Sequence, residues 1–165
     1  MQSEINSAVT ALLQKQKIAF EVIKIPLSED KKPVRNLEVL LAAKGLDPAS
    51  VVRSVLFRGG SEQFYMLAVA GGGRADWGIL RKQLDERKLR MAEFNEVSEA
   101  TGYVVGAVPP IALPQSLITL VDKSVYDYET VVIGSGVLGC ALALKGADLL
   151  ALLTHAIQGE FVKEL

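Results

Sequence analysis

The chain has very little of what most hydrolytic and metal-dependent chemistries need. Its 165 residues include one cysteine, Cys140, and one histidine, His155. A single cysteine rules out an intrachain disulfide and a thiolate cluster, and one histidine with scattered carboxylates makes a poor zinc site. No metal and no cofactor are therefore expected. Cys140 reads as a core residue and His155 as a surface or capping residue on the last helix, so neither suggests a nucleophile–base pair. An excess of one charge is also missing. The formal net charge is −1, which argues against coating nucleic acid by bulk electrostatics, so DNA binding is not expected and any RNA contact must be local. No apolar run reaches the roughly 18 residues that a membrane span requires. The first segment mixes Glu4, Lys15 and Lys17 into an amphipathic pattern unlike a leader. Repeats, linkers and low-complexity stretches are absent too. What remains is one domain over residues 1–165, expected in the cytoplasm.

Half of the residues are hydrophobic, and their period changes along the chain. Ile5, Val9, Leu12 and Leu13 repeat at helical spacing, with Ser3 as a candidate cap. Residues 18–25 read as a strand ended by Pro26, and 27–33 as a polar loop carrying Lys31 and Lys32. Residues 34–44 read as a helix with Gly45 just beyond its end. Two strands, 51–57 and 64–70, are joined by Arg58-Gly-Gly-Ser61, a hairpin signal. Trp77, Leu80 and Leu84 mark an amphipathic helix, and a short helix from about Glu93 ends at Gly102. Strands follow at 117–121, 130–133 and 140–145, and a closing helix runs from Ala147 to about Ala156. The pattern predicts an α+β domain with a mixed sheet.

Two glycine-rich segments stand out. Thr101-Gly-Tyr-Val-Val-Gly-Ala-Val-Pro-Pro110 sets Gly102 and Gly106 inside a β-prone run that ends on Pro109 and Pro110. Glycine in a strand marks a bulge or a close backbone approach, and the prolines stiffen the exit. The segment reads either as a strand ending at a turn or as the wall of a small-ligand pocket. Gly134-Ser-Gly136-Val-Leu-Gly139 matches G-x-G-x-x-G, with Glu160 near the place of a ribose-binding acid. Only 26 residues follow Gly139, too few to complete a dinucleotide crevice. It reads instead as a tight turn, with Ser135 and neighbouring N–H groups free to face a ligand or an oxyanion.

The order of these motifs resembles the YbaK family, related to the editing domain of bacterial prolyl-tRNA synthetases. The resemblance runs through the apolar hairpin, Gly73-Arg-Ala-Asp76, Thr101-Gly-Tyr103, Gly106-Ala-Val-Pro-Pro110, Leu120-Val-Asp-Lys-Ser124, Ile133-Gly-Ser-Gly136 and Gly146-Ala-Asp-Leu-Leu150, about residues 5–155. It implies a mixed, mostly antiparallel sheet, flanked by helices and curled around a pocket for an aminoacyl group and terminal adenosine. The implied activity is trans-acting deacylation of a tRNA mischarged with a small amino acid such as alanine, cysteine, serine or threonine. The implied partners are the aminoacyl-tRNA 3′ end and an aminoacyl-tRNA synthetase. The other readings are a non-catalytic relative that binds a small ligand or a synthetase, and a hydrolase of another small ester.

The resemblance implies a catalytic surface of Arg53, Gly102, Gly106, Ser135 and Gly136, with Pro109, Asp76, Arg74 and Tyr103 contacting substrate. Arg53 stands where the family carries a lysine; it keeps the charge but cannot titrate. The other reading of Arg53 is an outward-pointing strand residue. Asp76 with Arg74 reads either as a pocket border or, for Asp76, as the cap of the helix beginning at Trp77. The basic run Arg81, Lys82, Arg87, Lys88 and Arg90 reads as a phosphate contact or, interrupted by Asp85 and Glu86, as a solvated face. Lys31, Lys32 and Arg35 form a second basic group.

Overall fold

The structure, a computed structural model, describes residues 6–25, 37–71 and 73–163. Its strands divide among three sheets. In the largest, β2 (Arg53–Gly59) and β3 (Phe64–Val69) form the expected antiparallel hairpin. Strand β5 (Leu89–Met91) flanks β2 antiparallel, while β6 (Ile118–Asp122) and β9 (Ile157–Gly159) add parallel to β3 and to each other. The second sheet pairs β1 (Phe20–Lys24), β8 (Cys140–Lys145) and β7 (Thr130–Gly134), all antiparallel. A two-residue ribbon joins β4 (Arg74–Ala75) to β10 (Val162–Lys163). The α+β class with a mixed, mostly antiparallel strand set is as expected. The short strands β4, β5, β9 and β10 are additions.

The two larger sheets meet at one seam. Val51 bridges Val132, and the Val52 N–H donates to the Val132 carbonyl at 2.7 Å. The period-two alternation of β2 decides what each face meets. Val55 and Phe57 face α3 (Trp77–Leu84) in a core with Tyr65, Leu67, Leu80, Leu120 and Phe161. Phe57 stacks on Tyr65 and meets Trp77 edge-on, both at 5.4 Å between centroids. Each fully buried large side chain here contributes about 1.5–3 kcal/mol. Leu56 faces the other way, toward Val97 and Ala100 of α4 (Phe94–Thr101).

Helix ends follow local chemistry. Helix α1 (Ala8–Lys15) is capped by Ser7, which exchanges hydrogen bonds with Thr10 in a capping box. Ser3, the expected cap, lies outside the described residues, as do 27–33 and Arg35. Helix α2 spans Leu37–Ala43 and is followed by Gly45 at φ +77°. The closing helix α5 (Gly146–Ala151) is shorter than expected, and His155 lies exposed beyond it. The largest correction concerns 101–110. Thr101 is the last residue of α4 and Gly102 its left-handed C-cap, so the segment beyond is a loop, not a strand. Val104 and Val105 have high β propensity but remain 47% and 44% exposed, in no strand.

Candidate functional site

The two glycine segments meet each other. The Gly136 N–H donates to the Ala107 carbonyl at 2.9 Å, and β7 ends against the loop at Gly134. A Cβ on Gly134 would lie 2.5 Å from the Val108 carbonyl oxygen, so only glycine lets the two backbones come this close. The Ser7 hydroxyl donates to the Ser135 carbonyl at 2.7 Å and so ties α1 to the same turn.

Beside this wall lies a cavity of about 550 Å³, within the range of small-ligand sites. It sits at the seam between the sheets, closed by Val51, Val52, Val132, Ile133 and Leu56 and rimmed by Met91, Phe94 and Val105. Three polar groups interrupt this apolar lining. Arg53 is among the lining residues at the start of β2; by the strand's alternation its side chain leaves on the Val55 face, and its Nη2 donates to the Gly73 carbonyl at 2.6 Å. Ser54 follows it in the lining, and its hydroxyl is buried with no hydrogen-bond partner among the described residues. Gly106, at φ +95°, adds a backbone N–H that has no acceptor among the described residues. A buried hydroxyl left without a partner costs about 1–3 kcal/mol. Among the described residues, the lining contains no carboxylate and no imidazole.

The structure brings together only part of the expected set. Arg53 and Gly106 share the cavity; the other seven residues do not line it. Ser135 is fully buried, and its hydroxyl donates to the Val137 and Cys140 carbonyls while accepting from the Val137 N–H. Ser135 therefore locks the β7–β8 turn and does not face a ligand. The Gly136 and Gly102 N–H groups are likewise spent, on Ala107 and Ser98. The Tyr103 hydroxyl donates to the Ala112 carbonyl at 2.6 Å, its ring packs beside Gly136, and burial pushes its pKa up. Pro109 is buried in the loop. Asp76 caps α3, its carboxylate accepting from the Gly78 and Ile79 N–H groups, and Arg74 is an exposed residue of β4. Cys140 is half-buried and lines the cavity instead of joining a core. Ser54 was missed because a serine inside an apolar strand signals nothing until its partners can be counted.

Chemically, the arrangement is an apolar container with polar groups at one edge and, among the described residues, no nucleophile paired with a base. The family described as the aminoacyl-tRNA editing domain matches residues 31–152, and the chain belongs to it. Among relatives, the Bacillus subtilis protein YwhH is 30% identical over 105 residues, covering 64% of this chain and 66% of its own. The Escherichia coli multifunctional Ser/Thr-tRNA deacylase ProXp-y is 28% identical over 92 residues, 55% of each chain. The alignments thus span about two thirds and about half of these relatives. A crystal structure of a candidate trans-editing enzyme for prolyl tRNA synthetase superposes with a TM-score of 0.77 at 24% identity, covering 98% of this chain and all of that one. Among the described residues, no helix is long and apolar enough to cross a membrane.

Proposed function

We propose that this chain is a trans-editing deacylase, hydrolysing the ester that joins a wrongly attached small amino acid to a tRNA 3′ end. The observation that carries the reading is the polar trio of Arg53, Ser54 and Gly106 at the edge of an otherwise apolar cavity. An aminoacyl ester is activated, so positioning a water and stabilising the oxyanion suffice for its hydrolysis. Water oxygen bonds to the acyl carbon, the bond to the ribose oxygen breaks, and a proton reaches that oxygen through the neighbouring ribose hydroxyl. Arg53 and the Gly106 N–H stabilise the charge that develops on the acyl oxygen. A guanidinium does not titrate in the working range, so Arg53 serves as a fixed charge and not as a base.

The buried Ser54 hydroxyl supports serine or threonine as the acyl group over alanine or cysteine, because a polar substrate side chain would satisfy it. An aminoacyl-tRNA synthetase is the protein partner this reading implies, and the cytoplasm its compartment. The test is a deacylation panel of alanyl-, cysteinyl-, seryl- and threonyl-tRNA with the wild type and Arg53→Ala. Turnover of at least one mischarged tRNA is expected, falling about 100-fold in the variant; a panel left wholly intact would sink the proposal. The hydrogen bond from Arg53 to Gly73 favours one competing reading, a non-catalytic relative in which the guanidinium only shapes the cavity. Binding of an aminoacyl-adenosine analogue with no turnover would support that reading.

A further inference from the structure

A second concavity, of about 460 Å³, lies at the far end of β2 and is lined by Arg58, Arg81, Arg87, Lys88 and Arg90. In sequence, acidic residues interrupt this basic run; in space, two carboxylates are turned inward or consumed. Glu86 is buried, accepting from the Tyr65 hydroxyl at 2.6 Å and from the Ser61 hydroxyl. Glu96 is clamped by Arg58 and, bidentately, by Arg90. Arg81, Arg87 and Lys88 are exposed and have no ion-pair partner among the described residues. Asp85 remains on the surface beside them, in the left-handed turn that ends α3.

Strand β5 links this basic hollow directly to the cavity. Leu89 and Arg90 line the one, while Met91, Ala92 and Phe94 line the other. Phe94 lies five positions after Leu89, a span of at most about 18 Å. Along it, Met91 is 53% and Phe94 79% exposed, an unusual position for a large aromatic side chain. Unpaired cations followed by an exposed aromatic ring match what a single-stranded nucleic acid uses: phosphate contacts, then a stacking platform. An acidic protein partner would be served by the cations but would have no use for the ring.

Building on the deacylase reading, we propose that the β5 strip is the track of the RNA 3′ end. Arg81, Arg87 and Lys88 hold backbone phosphates, Phe94 stacks a terminal base, and the acyl group enters the cavity beyond. Because the net charge of the chain is −1, this local patch and not the whole-protein field supplies the attraction. Three phosphate contacts to single-stranded RNA give a slope of log K against log salt of about −2.

The test is the affinity of uncharged tRNA, and of a short hairpin with a single-stranded 3′ end, across salt concentrations. Wild type, Arg87→Ala/Lys88→Ala and Phe94→Ala are compared. The double variant should lose about tenfold in affinity and have its slope reduced by about 1. Phe94→Ala should lose about tenfold for the 3′-tailed hairpin at unchanged slope. Wild-type affinity in both variants, or a wild-type slope near zero, would overturn the inference. So would an acidic peptide that binds the strip when RNA does not. Hydrolysis of aminoacyl-adenosine by the unmutated protein tests the deacylase reading by itself, so failure of one is distinguishable from failure of the other.

Discussion

Arg53 and Arg58 stand five residues apart on β2, and the odd spacing sends them to opposite faces of the sheet. Arg58 is spent on structure: its guanidinium meets Glu96 at 2.8 Å and Glu62 at 3.5 Å, and it lies over the Phe64 ring at 5.1 Å. Arg53 touches one carbonyl and has no carboxylate partner among the described residues. The same residue type in the same strand is therefore neutralised at one position and left electrostatically open at the other. Counting charges in a sequence cannot separate these cases; knowing which carboxylate faces which strand can.

The comparison breaks most sharply by exchanging losses. Arg53→Ala should cost about 100-fold in turnover of the mischarged tRNA that the wild type cleaves, with Tm within about 1 °C. Arg58→Ala should do the reverse, lowering Tm by about 3 °C, since two ion pairs and a ring contact are lost at a partly exposed site. Parallel melting and kinetic measurements check the pair; equal effects on both readouts for either variant would erase the distinction.

A smaller effect comes from the carboxylate that Arg58 serves. The Arg90 bonds to Glu96, aided by the Glu93 N–H and by Arg58, hold its pKa down at about 2 against an ordinary 4.5. A folded-state pKa below the unfolded one stabilises fully above pH 4.5, and that stability is lost as pH falls from about 4.5 toward 2. Thermal melts between pH 7 and pH 3 should show this acid limb flattened in Glu96→Gln, whose Tm at neutral pH is already lower. Ser54→Ala is expected to raise Tm by about 3 °C, since it removes a buried hydroxyl with no partner. It should also narrow any preference for seryl- over alanyl-tRNA. Smallest is Arg53→Lys, which keeps a cation at the cavity and should change turnover by less than about tenfold.

Much of the fold was legible because its signals are local. The Arg58–Ser61 hairpin, the Asp76 cap and the Trp77–Leu80–Leu84 stripe lie within a few residues of what they specify. Strands β5, β9 and β10 were not legible: each has three residues or fewer and exists only because a distant edge accepts its hydrogen bonds. In the candidate site, only the family resemblance set the two glycine segments on one surface, and nothing in the letters told how they spend their donors. Ser135 and Gly136 look available in a string of letters, and their partners Cys140 and Ala107 come from the strand beyond and the loop before. Ser54 shows the converse, a residue ordinary in sequence whose interest lies in the partner it lacks.

Cys140 gives the cavity a natural reporter. It is the only thiol in 165 residues and it sits in the cavity lining. A fluorinated or fluorescent alkylating reagent would therefore attach at one address without any engineered change. Its resonance or emission would register whatever enters beside it. Protection of the same sulfur from alkylation would rank candidate ligands by occupancy, before any reaction they undergo has to be assayed.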